Sequence, residues 1–582
     1  MCGSIAIVRS PFETEAVAKS ALDRLASRGP DGSGLIFSGS GAIGHCRLAL
    51  RDHNGGAQPV TLSDGRKLAF VGELYNDGKL RRLLELQGAR FSSASDTETL
   101  AAAIERWGGE TWSKLDGMFA MMLLSAHGDS VHLISDKYGV KPIFYSQTVS
   151  TSAAASQPSS LLSCGAVQKA HAVALLHYLR TSQVCLNTQT VLSDVKLMSP
   201  GSVVTLFGES ANQVRWSASP FQSESLGPCD QSASKLRYLL SEAVYRQSSA
   251  DSPVGVFLSG GLDSSILAAL LQMVRPAPLK TFAVALAGDT DDLDYSKLVS
   301  ERIKSEHVEL VVSPEEFFKS MRELIAERAL PLSLPNEVLI YELSKRARDS
   351  VKAILSGEGA DELFGGYHRL LARVRSDGDW PLFIQRYRNV SSWFSLADLE
   401  ESLSDPAPLL AAVQTDADYL GELLRDARPD SFLRTLLFRD HFRHLLLRLD
   451  GSAMAGSIEG RVPFTDPDVV HFAIGLPEAA LMPAFGLEKP LLRKAADGLL
   501  PATILRRPKR AFNASLSILF TSNVGQRELN SALQQPLICK LFRKEKLEQI
   551  LNEDFESQVF HRTWLICSLG LWNELCGVSE IC

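Results

Sequence analysis

Short apolar and alternating segments dominate the first 215 residues, and Gly, Asn and Asp interrupt them. Such segments are typical of β-strands, whereas the spacing of apolar positions at 15–26 and 97–107 predicts two helices. The predicted strands span 4–8, 41–50, 67–71, 119–125 and 130–135. This part is therefore predicted to contain sheets flanked by helices. We interpret the polar, Ser/Ala-rich stretch 148–160 as a surface loop.

The pattern changes after residue 215. Residues 216–235 are rich in Ser, Pro, Gly and Gln, and we interpret them as a linker. Beyond them, single apolar strands alternate with long amphipathic helices, which predicts a parallel α/β sheet. The strands are predicted at 254–258, 280–286 and 353–355, with helices at 264–274 and 564–575 and mostly helical structure towards the C-terminus. The chain is accordingly predicted to be an α/β protein with domains at 1–215 and 236–582.

Composition restricts the class of protein. The 582 residues exceed what one hydrophobic core accommodates, and 45% hydrophobic with 22% charged residues is typical of a soluble globular protein. A net charge of −7 argues against nucleic acid as a partner. The nine cysteines contain no CxxC pair, so neither a zinc site nor a disulfide framework is predicted. Without a signal-peptide pattern or an apolar run of ~18 residues, we expect a cytoplasmic protein and no membrane partner.

The second residue is a candidate nucleophile. Removal of Met1 would leave Cys2 with its thiol and a free α-amine on one residue. An ordinary cysteine has a pKa of ~8.5 and an α-amine one of ~7.7–8.0, so the amine can accept the thiol proton near neutral pH. This combination predicts nucleophilic catalysis, although a Met-Cys start also occurs without function.

A candidate phosphate loop follows the predicted strand 254–258 and opens a helix. Its sequence is Ser-Gly-Gly-Leu-Asp-Ser at 259–264. In this context backbone N–H groups and the helix N-terminus hold an anion. The loop has no lysine after its glycines, unlike the P-loop of kinases, and Asp263 lies where it can hold Mg²⁺. A tight turn with a capping side chain is the structural alternative.

Four motifs together identify the chain as a member of a known family. The loop at 259–264 resembles the pyrophosphate loop of ATP pyrophosphatases. The sequence LSGEGADELFGGY at 355–367 resembles the second signature of glutamine-dependent asparagine synthetases, as do EGRVPF at 459–464 and RPKRAF at 507–512. Their order is that of the family, over about 250 residues.

The resemblance extends to the first domain. Cys2-Gly3 and the motifs at 28–31, 45–48, 72–73, 95–96 and 141–142 resemble those of an N-terminal-nucleophile glutaminase. The resemblance implies a four-layer α+β sandwich, with Cys2 as nucleophile. It also implies that glutamine is bound by Arg47, Gly72, Glu73 and Asp96. One departure is Val71, which stands where the family has an asparagine that completes the oxyanion hole. Because valine donates no hydrogen bond, we predict a slow glutaminase and possible dependence on ammonia.

The resemblance also assigns roles in the second domain. ATP is expected to be bound by Ser259, Gly260, Gly261, Asp263, Ser264, Ser356 and Gly357. Mg²⁺ is expected at Asp263 and Asp361. Lys509 is placed like the lysine that stabilises charge on the phosphates, and Glu358 like the base that deprotonates the incoming amine. Alternatively, Glu358 is a charge at the start of a helix, where the helix dipole favours it. Lys509 is alternatively part of a run of solvated basic residues.

The motifs define the activation of a carboxylate but leave its identity open. Aspartate is the leading acceptor, giving asparagine, AMP and pyrophosphate from glutamine or ammonia and ATP. The segment 331–338 lacks the threonine and arginine with which the family binds aspartate. A different carboxylate, such as a uronic acid of a glycan or a biosynthetic intermediate, therefore stays open. Intramolecular amide formation is disfavoured by Cys2, and a non-catalytic binding protein by the intact motifs. The family resemblance also suggests a homodimer.

Overall fold

The computed structural model describes residues 2–9, 14–149, 151–208, 210–217, 232–367, 370, 373–374, 378–477, 480–481, 487–510, 512–552, 557–578 and 580–582. Most of the predicted linker 216–235 lies outside these residues. Among the helices so described, none combines the length and the apolar character needed to cross a membrane.

Two antiparallel sheets form the centre of the N-terminal part. The strands are β1 Gly3–Arg9, β2 Gly32–Ser38, β3 Gly41–Arg47, β4 Val60–Thr61, β5 Lys67–Leu74, β6 Gly117–Leu124, β7 Ser130–Ser135, β8 Phe144–Gln147, β9 Ser152–Ala155, β10 Lys169–Ala170, β11 Cys185–Leu186, β12 Gln189–Thr190, β13 Val195–Leu197, β14 Ser202–Phe207 and β15 Ser210–Arg215. One sheet has the order β11-β12-β13-β8-β9-β1-β3-β2, and the other β15-β14-β7-β6-β5-β4.

Helices cover the outer faces of both sheets. They are α1 Thr14–Asp23, α2 Asp77–Glu85, α3 Asp96–Trp107, α4 Thr111–Lys114, α5 Pro158–Ser163 and α6 Ala172–Thr181. Alternate residues of β1 face opposite ways: Ile5 packs in the core with α1, while Ala6 faces the second sheet. On β5, Phe70 packs in the core with α3, and Val71 faces the first sheet. The result is the predicted four-layer α+β sandwich.

The prediction of a surface loop at 148–160 was wrong. The structure has strand β9 there, between β8 and β1 in the larger sheet, and the start of α5. Its three alanines are at most 1% exposed, and Ser156 Oγ accepts the Ser4 N–H at 2.9 Å. A strand between two packed layers accommodates small side chains because the neighbouring helices approach closely. The same small and polar residues are typical of loops, so the sequence pattern was ambiguous.

A parallel five-stranded sheet, with the order β18-β17-β16-β19-β20, forms the centre of the C-terminal part. The strands are β16 Val254–Phe257, β17 Lys280–Leu286, β18 Glu306–Val312, β19 Ala353–Leu355 and β20 Glu459–Arg461, and a short strand β21 Glu580–Ile581 pairs with β10. The α/β prediction is confirmed. Because β16 and β19 are parallel neighbours, the loops that follow them leave the same edge of the sheet.

The rest of the C-terminal part is helical, as predicted. The helices are α7 Ser232–Gln247, α8 Leu262–Val274, α9 Asp291–Ile303, α10 Pro314–Arg328, α11 Asn336–Ala347, α12 Ala360–Phe364, α13 Trp380–Ser391, α14 Leu396–Ser402, α15 Ala407–Leu424, α16 Phe432–Leu436, α17 Phe442–Ala455, α18 Pro467–Gly475, α19 Pro490–Ala495, α20 Ala502–Leu505, α21 Leu516–Thr521, α22 Asn523–Leu533, α23 Pro536–Leu541, α24 Lys544–Asn552 and α25 Ser557–Cys576. Helix α25 buries Trp564 and Trp572 fully. Their indole N–H groups donate to the carbonyls of Ser333 and Ala329, which holds the segment that precedes α11.

Candidate active site

The loop after β16 forms a tight cradle at the start of α8. Gly260 has φ +70°, and a Cβ there would lie 2.6 Å from Tyr295 Cβ, so only glycine fits this position. The Ser259 N–H donates to Ser264 Oγ at 3.2 Å, and the two hydroxyl oxygens lie 3.1 Å apart. Backbone and hydroxyl donors are therefore gathered at the N-terminus of a thirteen-residue helix, where an anion is favoured.

The loop after β19 touches this cradle. The Ser356 N–H donates to the Arg461 carbonyl at 2.9 Å, which continues the pairing with β20. A Cβ on Gly357 would lie 2.9 Å from Asp263 Cβ and 3.1 Å from the Ser264 nitrogen. The glycine thus allows the two loops to pack directly against each other. The predicted ATP-binding residues of both motifs meet at one edge of the sheet; together with Glu358, Asp361 and Lys509 we call them the C-terminal site.

A buried lysine that the sequence analysis missed lies between the two predicted metal ligands. Lys489 Nζ is 2.6 Å from Asp263 Oδ2 and 2.6 Å from Asp361 Oδ1, and Lys509 Nζ is 2.9 Å from the latter oxygen. Burial would raise the pKa of Asp361, but Lys489 and Lys509 lower it to about 2. Burial would likewise lower the pKa of Lys489, yet the two carboxylates hold it above its usual value. No local motif marked this lysine, because its partners lie far away in the sequence.

The two carboxylates fit a hard divalent cation. Asp263 Oδ1 is buried and accepts no hydrogen bond from the described residues, so its lone pairs are available to a cation. Mg²⁺ is commonly held by one or two carboxylates together with phosphate oxygens of a substrate. Within the described ranges no group of three or more His, Cys, Asp or Glu side chains could hold a metal ion.

Glu358 lies at the same edge, in the loop after β19. Its carboxylate pairs with Arg448 of α17, whose Nη1 donates to Asn336 Oδ1 at 3.1 Å. The Asn336 amide in turn donates to the Phe512 carbonyl at 2.7 Å. Glu358 is therefore held by a network that joins α11, α17 and the segment carrying Lys509.

The N-terminal site, which we define as Cys2, Arg47, Gly72, Glu73 and Asp96, is more enclosed. Burial raises the pKa of the Cys2 thiol, against the opposing effects of the amino terminus and the Leu48 backbone. Gly72 has φ +140°, and a Cβ there would lie 2.0 Å from the Met118 carbonyl oxygen, so this position also requires glycine. Val71 beside it is buried and apolar.

The predicted glutamine ligands have different surroundings. Arg47 donates to the carbonyls of His53 and Arg51, each at 3.0 Å, which fixes its guanidinium in the loop after β3. Asp96 Oδ2 accepts the Leu74 N–H at 3.1 Å, and burial raises the pKa of Asp96 to about 6.

Glu73 lies at the boundary between the two parts of the chain. It pairs with Arg51 and, at 3.2 Å, with Arg461 of β20. The sequence analysis assigned Glu73 to glutamine alone and did not predict its contact with the C-terminal part. Arg461 belongs to the EGRVPF motif, and nothing in that motif indicated its partner.

A second buried cluster connects the two sites. Arg28 donates to the Cys2 carbonyl at 3.4 Å, and its Nη2 lies 2.9 Å from Asp450 Oδ2. Lys141 Nζ lies 3.4 Å from the other oxygen of Asp450. Asp450 is on α17, two residues beyond the Arg448 that pairs with Glu358. One helix therefore contacts both the Cys2 region and the C-terminal site.

Family models and curated relatives match both parts of the chain. The family model described as asparagine synthase matches residues 235–574, and the one described as glutamine amidotransferase domain matches residues 1–217. Asparagine synthetase [glutamine-hydrolyzing] 1 of Bacillus subtilis is 27% identical, covering 99% of this chain and 97% of its own length. Asparagine synthetase [glutamine-hydrolyzing] of Homo sapiens is 29% identical, covering 89% and 85%. A solved structure described as the allosteric regulatory enzyme of purine biosynthesis aligns with 53% of this chain and 80% of its own, at 18% identity and a TM-score of 0.31.

Proposed function

The chain belongs to the asparagine synthase family, and from this premise we propose that its two sites act in sequence, the first releasing ammonia and the second consuming it. The protein is a glutamine-hydrolysing carbon–nitrogen ligase that uses glutamine, ATP and a carboxylate. The observation that supports this order of events is the position of α17, which contacts the Cys2 region through Asp450 and Glu358 through Arg448.

In the N-terminal site, Cys2 is proposed to attack the glutamine carboxamide after removal of Met1. Its α-amine takes the thiol proton and delivers it to the departing ammonia, and water then hydrolyses the thioester to glutamate. Arg47 presents a guanidinium suited to the substrate α-carboxylate, while Asp96 and Glu73 are proposed to hold its α-ammonium group. The Gly72 N–H stabilises the oxyanion, and Val71 contributes no donor to it.

In the C-terminal site, the cradle at 259–264 is proposed to hold the β- and γ-phosphates of ATP. A carboxylate oxygen of the acceptor attacks the α-phosphorus, and pyrophosphate leaves. Lys489 and Lys509, whose ammonium groups contact Asp263 and Asp361 beside the cradle, are proposed to stabilise the negative charge on the departing oxygens. Asp263 and Asp361 would hold Mg²⁺, which when bound supplies further charge neutralisation on the phosphates.

Ammonia then attacks the acyl carbon of the adenylate, and Glu358 is proposed to accept a proton from it, giving the amide and AMP. Arg448 pairs with the Glu358 carboxylate and fixes its orientation. Arg28 and Asp450 form a buried contact between the Cys2 region and α17, and we propose that ammonia passes beside it.

Aspartate is the proposed acceptor, as in the relatives named above. A second candidate, another carboxylate, is favoured by Glu337, the only charged residue in the segment 331–338. Glu337 is fully buried, pairs with Arg328, and accepts the N–H groups of Ser333 at 2.6 Å and Leu334 at 3.0 Å. This segment therefore offers an acceptor molecule no cation. A cytoplasmic location and a homodimer stay predictions from the sequence.

The function is tested by measuring pyrophosphate and AMP formed by the purified protein with ATP and Mg²⁺. Ammonium chloride serves as nitrogen source, because it bypasses Cys2 and Val71. Release that depends on aspartate, with asparagine as product, would support the proposed reaction. Release that depends on a uronic acid or another carboxylate would support the second candidate. ATP binding without pyrophosphate release, across a panel of carboxylates, would contradict both.

A further inference from the structure

Arg507 contacts the back of the phosphate cradle rather than its open face. Its Nη1 donates to the Gly260 carbonyl at 3.0 Å, and its other terminal nitrogen pairs with Asp292. The guanidinium carbon lies 3.6 Å from the ring centroid of Tyr295. The side chain is largely buried, at 11% exposure, so these three contacts fix it from different directions.

The contact with Gly260 determines where the next N–H points. In a trans peptide the carbonyl of one residue and the N–H of the next point in opposite directions. Because Arg507 holds the Gly260 carbonyl, the Gly261 N–H is directed away from Arg507, where it donates to Ser259 Oγ at 3.4 Å within the cradle. Glycine at 260 has no Cβ to restrict φ and ψ, and the bond to Ser259 Oγ is long, so the contact with Arg507 is the stronger restraint on this peptide.

The partners of Arg507 are themselves packed against the loop. Asp292 and Tyr295 both lie in the first turns of α9, and a Cβ on Gly260 would lie 2.6 Å from both Tyr295 Cβ and the Ser296 nitrogen. The guanidinium therefore ties three segments together: the cradle, the start of α9, and the stretch that carries Lys509 two residues later.

We infer that Arg507 is a positioning residue that orients the Gly260–Gly261 peptide and thereby presets the cradle for the polyphosphate of a nucleotide. This inference rests on the proposed use of the cradle for ATP. It assigns Arg507 no contact with the reacting atoms, in contrast to Lys509. A planar guanidinium suits the task, because it can reach a carbonyl and a carboxylate at once while stacking on a ring, which an ammonium cannot.

The test is calorimetric titration of the full-length protein with ATP and Mg²⁺, without acceptor or glutamine. We expect Arg507→Gln and Arg507→Lys to weaken ATP binding about tenfold or more, since a charged hydrogen bond that orders the loop is lost. The matched control is the exposed Arg506→Gln, which removes the same charge from the neighbouring position and should leave affinity unchanged. Equal affinity for the variants at 506 and 507 would overturn the inference.

The variant Asp292→Asn distinguishes a positioning role of Arg507 from direct binding of phosphate by Arg507. It also tests the inference if the variants at 507 do not fold. A positioning role predicts that Asp292→Asn also weakens ATP binding, because the guanidinium loses its anchor. A direct phosphate ligand would bind ATP as tightly or more tightly once its carboxylate partner is neutralised, and that result would overturn the inference. Failure of the wild-type protein to release pyrophosphate, with ATP binding retained, would contradict the proposed function alone.

Discussion

The two candidate sites differ in how their residues come together. In the C-terminal site, the cradle after β16 and the loop after β19 meet because neighbouring parallel strands end at the same edge of a sheet. In the N-terminal site, Arg47, Glu73 and Asp96 come from different strands and a helix of an antiparallel sandwich, and Glu73 is paired with Arg461 of the other part of the chain. The first arrangement follows from topology, and the second depends on packing between distant segments.

The two sites also differ in how their charged groups are paired. The C-terminal site gathers two carboxylates and two ammonium groups within direct contact, so its charges balance one another before any nucleotide binds. In the N-terminal site Glu73 is paired with two arginines, while burial raises the pKa of both Cys2 and Asp96. A site of the first kind is prepared for a highly charged ligand, whereas the second kind favours a small zwitterion that brings its own charges.

The largest expected effect separates the two sites completely. Cys2→Ala should abolish amide formation from glutamine while leaving synthesis from ammonium chloride intact, because only the first reaction needs the thiol. Lys509→Met should abolish pyrophosphate release with either nitrogen source, since the charge on the departing phosphates loses its partner. The measurement is AMP formation with each nitrogen source in turn.

The two variants control for each other, because each leaves the other site untouched. Lys509→Met should still hydrolyse glutamine to glutamate. If Cys2→Ala retained glutamine-dependent synthesis, the nucleophile would have to be another residue and the division of labour between the sites would be wrong.

A smaller effect, a faster hydrolysis of glutamine, is expected from Val71→Asn. An added amide donor beside the Gly72 N–H should raise the rate of glutamine hydrolysis by up to about 10²-fold, the amount that one oxyanion donor typically contributes. The measurement is glutamate release at saturating glutamine. Val71→Asp is the matched control, because its carboxylate has the same shape but donates no hydrogen bond. An equal gain from both variants, or none from either, would show that Val71 does not limit the reaction.

The contrast between the sites also explains what could be predicted from the sequence. Several strands and the parallel α/β sheet followed from apolar patterns, and the cradle followed from a motif at a strand end. The four-layer sandwich and the choice of Asp361 and Glu358 followed from the family resemblance. Strand β9 was missed because buried Ser and Ala mimic a loop. Lys489 and the Glu73–Arg461 pair were missed because their partners lie hundreds of residues away, and only the packed chain brings them together. Local pattern predicts elements and loops, while ion pairs between distant segments require the tertiary structure.

The affinity for glutamine is expected to change about tenfold with pH. The pKa of Asp96 is raised to about 6 by burial, so its carboxyl is neutral below that pH and charged above it. A substrate ammonium group requires the charged form, so the protonation of Asp96 should lower glutamine affinity about tenfold per pH unit below pH 6. Calorimetry on the Cys2→Ala variant between pH 5 and 8 measures this without turnover. In the Cys2→Ala, Asp96→Asn double variant, binding should be weak and the tenfold loss below pH 6 should disappear; an unchanged profile would remove Asp96 from the glutamine pocket.

The smallest expected effect concerns stability and is confined to the C-terminal site. Lys489→Met leaves the Asp263 and Asp361 carboxylates without their shared ammonium, and these side chains are about a quarter exposed. Solvent screening at that exposure reduces the loss to about 2 kcal/mol, or roughly 5 °C in melting temperature. The loss should appear in EDTA and shrink with millimolar Mg²⁺, because a cation at the two carboxylates replaces the missing charge. The exposed Lys494→Met, on the helix that Lys489 precedes, should melt like the wild type in both conditions. If Mg²⁺ did not raise the melting temperature of Lys489→Met while Lys494→Met melted like the wild type, the two carboxylates would not form a cation site. The balance of charges that distinguishes the C-terminal site from the N-terminal one would then serve only the stability of the fold.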